Sequence, residues 1–110
     1  METAGKRVLV IDDDAVLLRT VARELRAAGW TVDARTEPGW VDKPDVALID
    51  WDPHGKVATE AARKMGVPYV VFTGNDVVAD ALRAAGDAVV DKPWQSGELD
   101  AELKEVCKHG

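Results

Sequence analysis

Three carboxylates, a hydroxyl and an ammonium each stand at the end of a short apolar run. Val8 to Ile11 stops at Asp12-Asp13, Val46 to Ile49 at Asp50, Tyr69 to Phe72 at Thr73, and Ala88 to Val90 at Asp91-Lys92. If these runs are neighbouring parallel strands, the polar residues converge at one sheet edge. Open parallel sheets bind ligands in the crevice beyond the carboxyl ends of their strands. Carboxylates crowded into a partly desolvated crevice repel one another and call for a cation. A hard divalent ion such as Mg²⁺ takes oxygen ligands from carboxylates, carbonyls and waters, and so suits Asp12, Asp13 and Asp50. With the Lys92 ammonium and the Thr73 hydroxyl added, the set matches what a phosphoryl group needs, since its equatorial oxygens gain charge during transfer. A carboxylate in the middle can then be the nucleophile and form an acyl phosphate.

The elements that must position these residues are legible as changes of period. Arg7 to Ile11 is continuously apolar after its first residue and rich in β-branched side chains, as a strand buried on both faces should be. From Ala15 to Ala28 the apolar residues Leu18, Val21, Ala22, Leu25 and Ala28 fall at three- and four-residue steps, which predicts an amphipathic helix. Asp13 or Asp14 can cap its start, and Gly29 can supply the left-handed residue that ends it. A short strand is expected over Thr31 to Ala34. The stretch from Arg35 to Pro44 holds two prolines and a glycine, so at most one helical turn fits there. Further strands follow at Val46 to Ile49, Tyr69 to Phe72 and Ala88 to Val90. Between them lie helices over Val57 to Met65, closed by Gly66, and over Asp76 to Ala85, ended by Gly86. A last helix follows Ser96, burying Leu99, Leu103, Val106 and Cys107, with Glu98, Asp100, Glu102, Lys104 and Glu105 turned to water. Strands alternating with helices call for right-handed crossovers and a parallel sheet covered on both faces, a three-layer doubly wound α/β domain.

Composition narrows the function classes. The 110 residues fit one domain, and no apolar stretch approaches the roughly 20 residues of a membrane span. The first residues lack the apolar core of a secretory signal and the single Cys107 cannot form an internal disulfide, which favours a reducing cytoplasm. A net charge of −6, with basic residues scattered among acidic ones, leaves no stripe to neutralise nucleic-acid phosphates.

Taken together, Val8-Leu-Val-Ile-Asp-Asp-Asp14, Asp45-Val-Ala-Leu-Ile-Asp50, Val71-Phe-Thr-Gly74 and Asp91-Lys-Pro-Trp94 resemble the receiver domains of bacterial two-component response regulators, of the chemotaxis-regulator-like kind. Each motif alone is weak; all four in order over nearly the whole chain are strong. The resemblance implies a flavodoxin-like fold of five parallel strands. It implies that Asp50 accepts a phosphoryl group from a phosphohistidine of a sensor histidine kinase or histidine phosphotransfer protein. Asp12, Asp13, Asp50 and the backbone carbonyl of Asp52 would hold Mg²⁺, and Thr73 and Lys92 would grip the phosphoryl oxygens. The Lys92-Pro93 bond is expected to be cis, as is usual in the family. A domain of this kind is a phosphoacceptor that assists its own phosphorylation rather than an enzyme with turnover. With Gly110 just after the last helix, a stand-alone receiver signalling by protein contact is expected.

Departures from the family pattern matter too. The family's second helix is nearly lost, and the intervals from Asp12 to Asp50, Asp50 to Thr73 and Thr73 to Lys92 are all short, so this resembles a trimmed receiver. The aromatic residue usual three positions before the lysine is Val89 here, which removes the common partner of Thr73. These departures motivate an alternative, a degenerate receiver that binds proteins without being phosphorylated. Asp50-x-Asp52 also resembles the nucleophile and acid pair of haloacid-dehalogenase-type phosphatases. The following Pro53-His-Gly and the lack of room for cap elements weigh against that reading.

Trp51, Asp52 and Asn75 adjoin the presumed site as candidate modulators, and Trp51 and Trp94 flank it as a candidate docking surface. Plainer roles are expected elsewhere: Asp14 as a helix cap, His54 and His109 solvated, Cys107 a packed thiol, Trp30 and Trp51 partly packed, and Trp40 filling the space of the lost helix.

Overall fold

The computed structural model describes residues 6–39 and 42–109. Trp40, the expected plug, and the side chain of His109 lie outside the described residues. The chain order is β1 (Arg7–Ile11), α1 (Ala15–Ala27), β2 (Thr31–Arg35), β3 (Val46–Asp50), α2 (Gly55–Met65), β4 (Tyr69–Thr73), α3 (Asp76–Ala84), β5 (Ala88–Asp91) and α4 (Glu98–His109). All strands are parallel, in the order β2-β1-β3-β4-β5. From β1 the chain steps outward to β2, and from β3 it steps the opposite way to β4 and β5. Right-handed crossovers in opposite directions place their helices on opposite faces. Accordingly Leu18, Val21 and Leu25 of α1 and Leu99 and Leu103 of α4 share a core with Val8, Val10, Leu48, Val70, Phe72 and Val90. Ala58 and Ala62 of α2 pack against Leu9, Ile11, Ala47 and Ile49 on the other face.

The stretch between β2 and β3 forms no helix among its described residues. Its absence shows in β2 itself. Val32 packs toward the α1 side, whereas Thr31, Asp33 and Arg35, on the face a helix would cover, are polar, with Arg35 Nε 3.1 Å from Asp33 Oδ2. A strand covered on one face only alternates apolar and polar, as this one does.

Unlike β1, which ends at Ile11, β3, β4 and β5 reach one residue further than their apolar runs. Asp50, Thr73 and Asp91 are each the last residue of a strand, because the ladder continues through backbone groups whatever the side chain. The α2 helix likewise begins at Gly55, two residues before its first apolar side chain. Gly29, Gly66 and Gly86 follow their helices at φ of 103°, 71° and 92°, a conformation that glycine adopts without steric cost. Two expectations need correction. Trp30 is not partly packed but buried, and Asp100 on α4 does not face water: the indole N–H of Trp30 donates to Asp100 Oδ1 at 2.7 Å. A buried indole needs an acceptor, and the spacing that turns Leu99 and Leu103 inward brings Asp100 to the edge of the same face. Cys107 packs against the core, and burial pushes its thiol pKa up. Among the described residues no helix is long and apolar enough to cross a membrane.

Candidate functional site

The crevice lies beyond the carboxyl ends of β1 and β3, where the direction of winding reverses, the place at which doubly wound sheets bind ligands. Register explains the convergence. Ile11 pairs with Ile49, Asp50 with Phe72 and Thr73 with Asp91, so the residues that follow or end these strands come level. The Lys92 N–H donates to the Thr73 carbonyl at 2.9 Å and carries the ladder one step further, which fixes the root of the lysine side chain. The Lys92-Pro93 bond is cis, and so is Asp52-Pro53.

Asp12, Asp13, Asp14, Leu17, Asp50, Asp52, Pro53, Thr73, Gly74, Asn75 and Lys92 line one cleft of about 640 Å³. One carboxylate oxygen from each of Asp12, Asp13 and Asp50 lies within 4.8 Å of the others. Asp12 is buried, with 1% of its surface exposed. Its Oδ1 accepts the Asp14 N–H at 2.9 Å, while its Oδ2, equally buried, has no hydrogen-bond partner. The Lys92 Nζ donates to Asp50 Oδ1 at 2.8 Å and stands 3.6 Å from Asp12 Oδ2. It also lies 4.4 Å from the centroid of the Phe72 ring. Burial raises the Asp50 pKa to about 6, with the Asp12 carboxylate adding to the rise and Lys92 opposing it.

Thr73 Oγ1 accepts the Asn75 N–H at 3.1 Å, and the Asn75 side chain caps α3 by accepting from the N–H groups of Val77 and Val78. Asp14 caps α1 in the same way through Val16 and Leu17, so the third acid of the run is occupied at the helix start. Asp52 is exposed at the cleft wall. His54 is half-buried before α2 and makes no capping bond with its side chain. The Trp51 indole lies over Gly55, where a Cβ would come within 2.6 Å of the ring. Trp94 is half-buried: its ring meets Phe72 edge-on at 6.3 Å and its N–H donates to Glu24 Oε1 at 3.0 Å, so part of the candidate docking residue is taken up within the fold. Sequence reasoning read Phe72 as core alone. Its position directly before Thr73, as the one phenylalanine of the chain, was the available signal.

The site suits a hard cation on structural grounds. Its oxygens are the donor type that Mg²⁺ takes, and Asp12 Oδ2, buried without a hydrogen bond and with the Lys92 ammonium no nearer than 3.6 Å, is a group that a metal ion would satisfy.

Comparison with solved structures decides what kind of fold this is. A CheY-like response regulator receiver domain protein from Methanospirillum hungatei matches with a TM-score of 0.80 at 24% identity, covering 94% of each chain. A response regulator receiver protein from Burkholderia phymatum matches at 0.76 and 26% identity, covering 94% and 95%. The fold is that of a response-regulator receiver domain. Sequence relatives agree. The chain is 29% identical over 120 aligned positions to the phosphate regulon transcriptional regulatory protein PhoB of Pseudomonas aeruginosa, across 94% of this chain and 52% of that protein. It is 28% identical to the probable transcriptional regulatory protein TcrX of Mycobacterium tuberculosis, across 92% and 49%. The chain thus spans about half the length of these curated relatives. No protein-family model matches it.

Proposed function

We propose that this receiver domain takes a phosphoryl group onto Asp50 from a phosphohistidine of a sensor histidine kinase or histidine phosphotransfer protein, and signals through protein contact from the cytoplasm. The observation that carries the reading is the 2.8 Å pairing of Lys92 Nζ with Asp50 Oδ1 inside a cleft that also gathers Asp12, Asp13 and Thr73. An oxygen of Asp50 attacks phosphorus; the O–P bond forms as the P–N bond breaks, and the imidazole keeps the electron pair and takes up a proton. Lys92 and the Thr73 hydroxyl are placed to pair with the transferred oxygens. Asp12, Asp13, Asp50 and the Asp52 carbonyl would hold Mg²⁺, which supplies charge neutralisation as the phosphoryl group passes. The product is a modified carboxylate on the chain itself, so the domain acts as a signalling acceptor.

The rim supports a protein as donor. Val16, Val57 and Val77 are 70%, 63% and 79% exposed, and each sits in the first turn of a helix that starts beside the cleft. Three exposed valines around an acidic centre offer apolar contact to a docking partner.

Incubation with acetyl phosphate and Mg²⁺ tests the proposal. The native chain should gain an acid-labile phosphoryl group, and Asp50→Asn and EDTA-treated samples should gain none. A native chain that stays unmodified both here and with a phosphorylated kinase overturns the reading in favour of a phosphorylation-independent binding module.

A further inference from the structure

We propose that Phe72 is a positioning residue for Lys92, its ring face holding the ammonium beside Asp50. The inference rests on the reading of Asp50 as phosphoacceptor. Lys92 carries its charge on a flexible stem, and an ammonium at a cleft wall has many conformers open to it. Here the Nζ is held on three sides: Asp50 Oδ1 at 2.8 Å, Asp12 Oδ2 at 3.6 Å and the Phe72 centroid at 4.4 Å, the ring being the uncharged wall beside the two carboxylates. An aromatic face attracts a cation through its quadrupole, and a desolvated face does so more strongly. Phe72 is fully buried. Its ring is itself held in place, since Trp94 meets it at an interplanar angle of 87° and is tied to Glu24 on α1. The lysine and the brace belong to one loop, two residues apart.

A phosphoryl group on Asp50 neutralises the oxygen that Lys92 now pairs with and offers new oxygens further out. An ammonium seated on a ring face can slide to them without swinging into solvent, because the attraction to the face is broad rather than pointed along one bond. The aromatic side chain beside this site therefore comes from β4, next to Thr73, while β5 carries Val89.

Because Phe72 is the only phenylalanine in the chain, global incorporation of fluorinated phenylalanines changes this ring alone. Mono-, di- and trifluorinated rings weaken the negative face stepwise at nearly constant shape, which keeps the test valid even if Phe72→Leu fails to fold. The initial rate of phosphorylation by acetyl phosphate should fall in order of fluorine count, by roughly 3- to 10-fold across the series. A purely packing role predicts no such order, and a flat series in a chain that does become phosphorylated overturns the inference while leaving the proposed function standing. The second measurement does not involve phosphorylation. The ε-methylene protons of Lys92, identified by their loss in Lys92→Arg, should resonate upfield under the ring current and move back toward the ordinary lysine position as fluorination weakens the attraction. An ordinary lysine position for these protons overturns the inference; an upfield one supports it even if phosphorylation fails.

Discussion

Asp50 stands between opposing influences, and their balance sets a measurable pH dependence. Burial and the neighbouring Asp12 carboxylate favour its protonated form, Lys92 favours the charged one, and the net result is a pKa near 6 against an ordinary value of 3.8. A carboxyl group whose pKa is higher in the folded chain holds its proton more tightly there than in the unfolded chain. Stability in the absence of divalent ions should therefore fall as pH rises from about 4 to about 6, and stay low above that. Asp50→Asn removes the titrating group. In EDTA at pH 7.5 the variant should be more stable than the native chain by about 1–3 kcal/mol, with the difference shrinking toward pH 4. Urea denaturation at the two pH values checks this, and a native chain at least as stable as the variant at pH 7.5 would show that Lys92 fully compensates the buried charge.

At the scale of single elements, the start of α2 shows how a helix terminus and a site residue share space. Gly55 opens the helix without a side chain, and the Trp51 indole occupies the volume a Cβ would need, with ring atoms at 2.6 and 2.8 Å from that position. Glycine within a helix ordinarily costs roughly 0.5–1 kcal/mol relative to alanine, so Gly55→Ala would stabilise a helix with open space there. Here the same change should destabilise by about 1–3 kcal/mol, because the indole is forced from its seat. In a Trp51→Ala background the sign should reverse, with Gly55→Ala gaining up to about 1 kcal/mol. Denaturation midpoints of the four chains in this double-mutant cycle measure the reversal, and additive effects would mean that the ring yields freely. The two capped helices beside the cleft, α1 through Asp14 and α3 through Asn75, follow a simpler logic. Short polar side chains directly before a helix accept its free N–H groups; the chain offered Asp13 or Asp14 for α1, whereas Asn75, expected only as a modulator beside the site, proves to be the cap of α3.

Across the whole molecule, two indoles tie α1 and its following turn to the C-terminal part of the fold. Trp94 reaches back to Glu24, and Trp30 reaches forward to Asp100, which also pairs with Lys104 at 3.0 Å. Both bonds join residues 70 positions apart, so they close the α1 and α4 layer over its face of the sheet. Asp100→Ala leaves the buried Trp30 N–H without an acceptor and should cost about 1–3 kcal/mol. Asp100→Asn keeps an acceptor and should cost less. Thermal or urea unfolding of both variants tests the pair; equal losses would assign the effect to charge on α4 rather than to the hydrogen bond. Phosphorylation of either folded variant should persist, since Asp100 does not line the cleft.

The order of elements, the parallel sheet and the alignment of Asp12, Asp13, Asp50, Thr73 and Lys92 at one edge were legible in the chain, because each depends on local period and on where an apolar run stops. Buried strands announce themselves by continuity, helices by spacing, and short loops leave few ways to connect them. What the chain could not disclose is which polar groups turn inward once the layers close. Asp100 and Glu24 have the local signature of solvated helix faces, and only packing against α1 and the loop after β5 presents each with an indole N–H. Phe72 has the signature of a core residue, and only the ladder between β4 and β5 sets the Lys92 ammonium over its ring. Contacts of this kind join residues distant along the chain, and their energies depend on separations that no local pattern encodes.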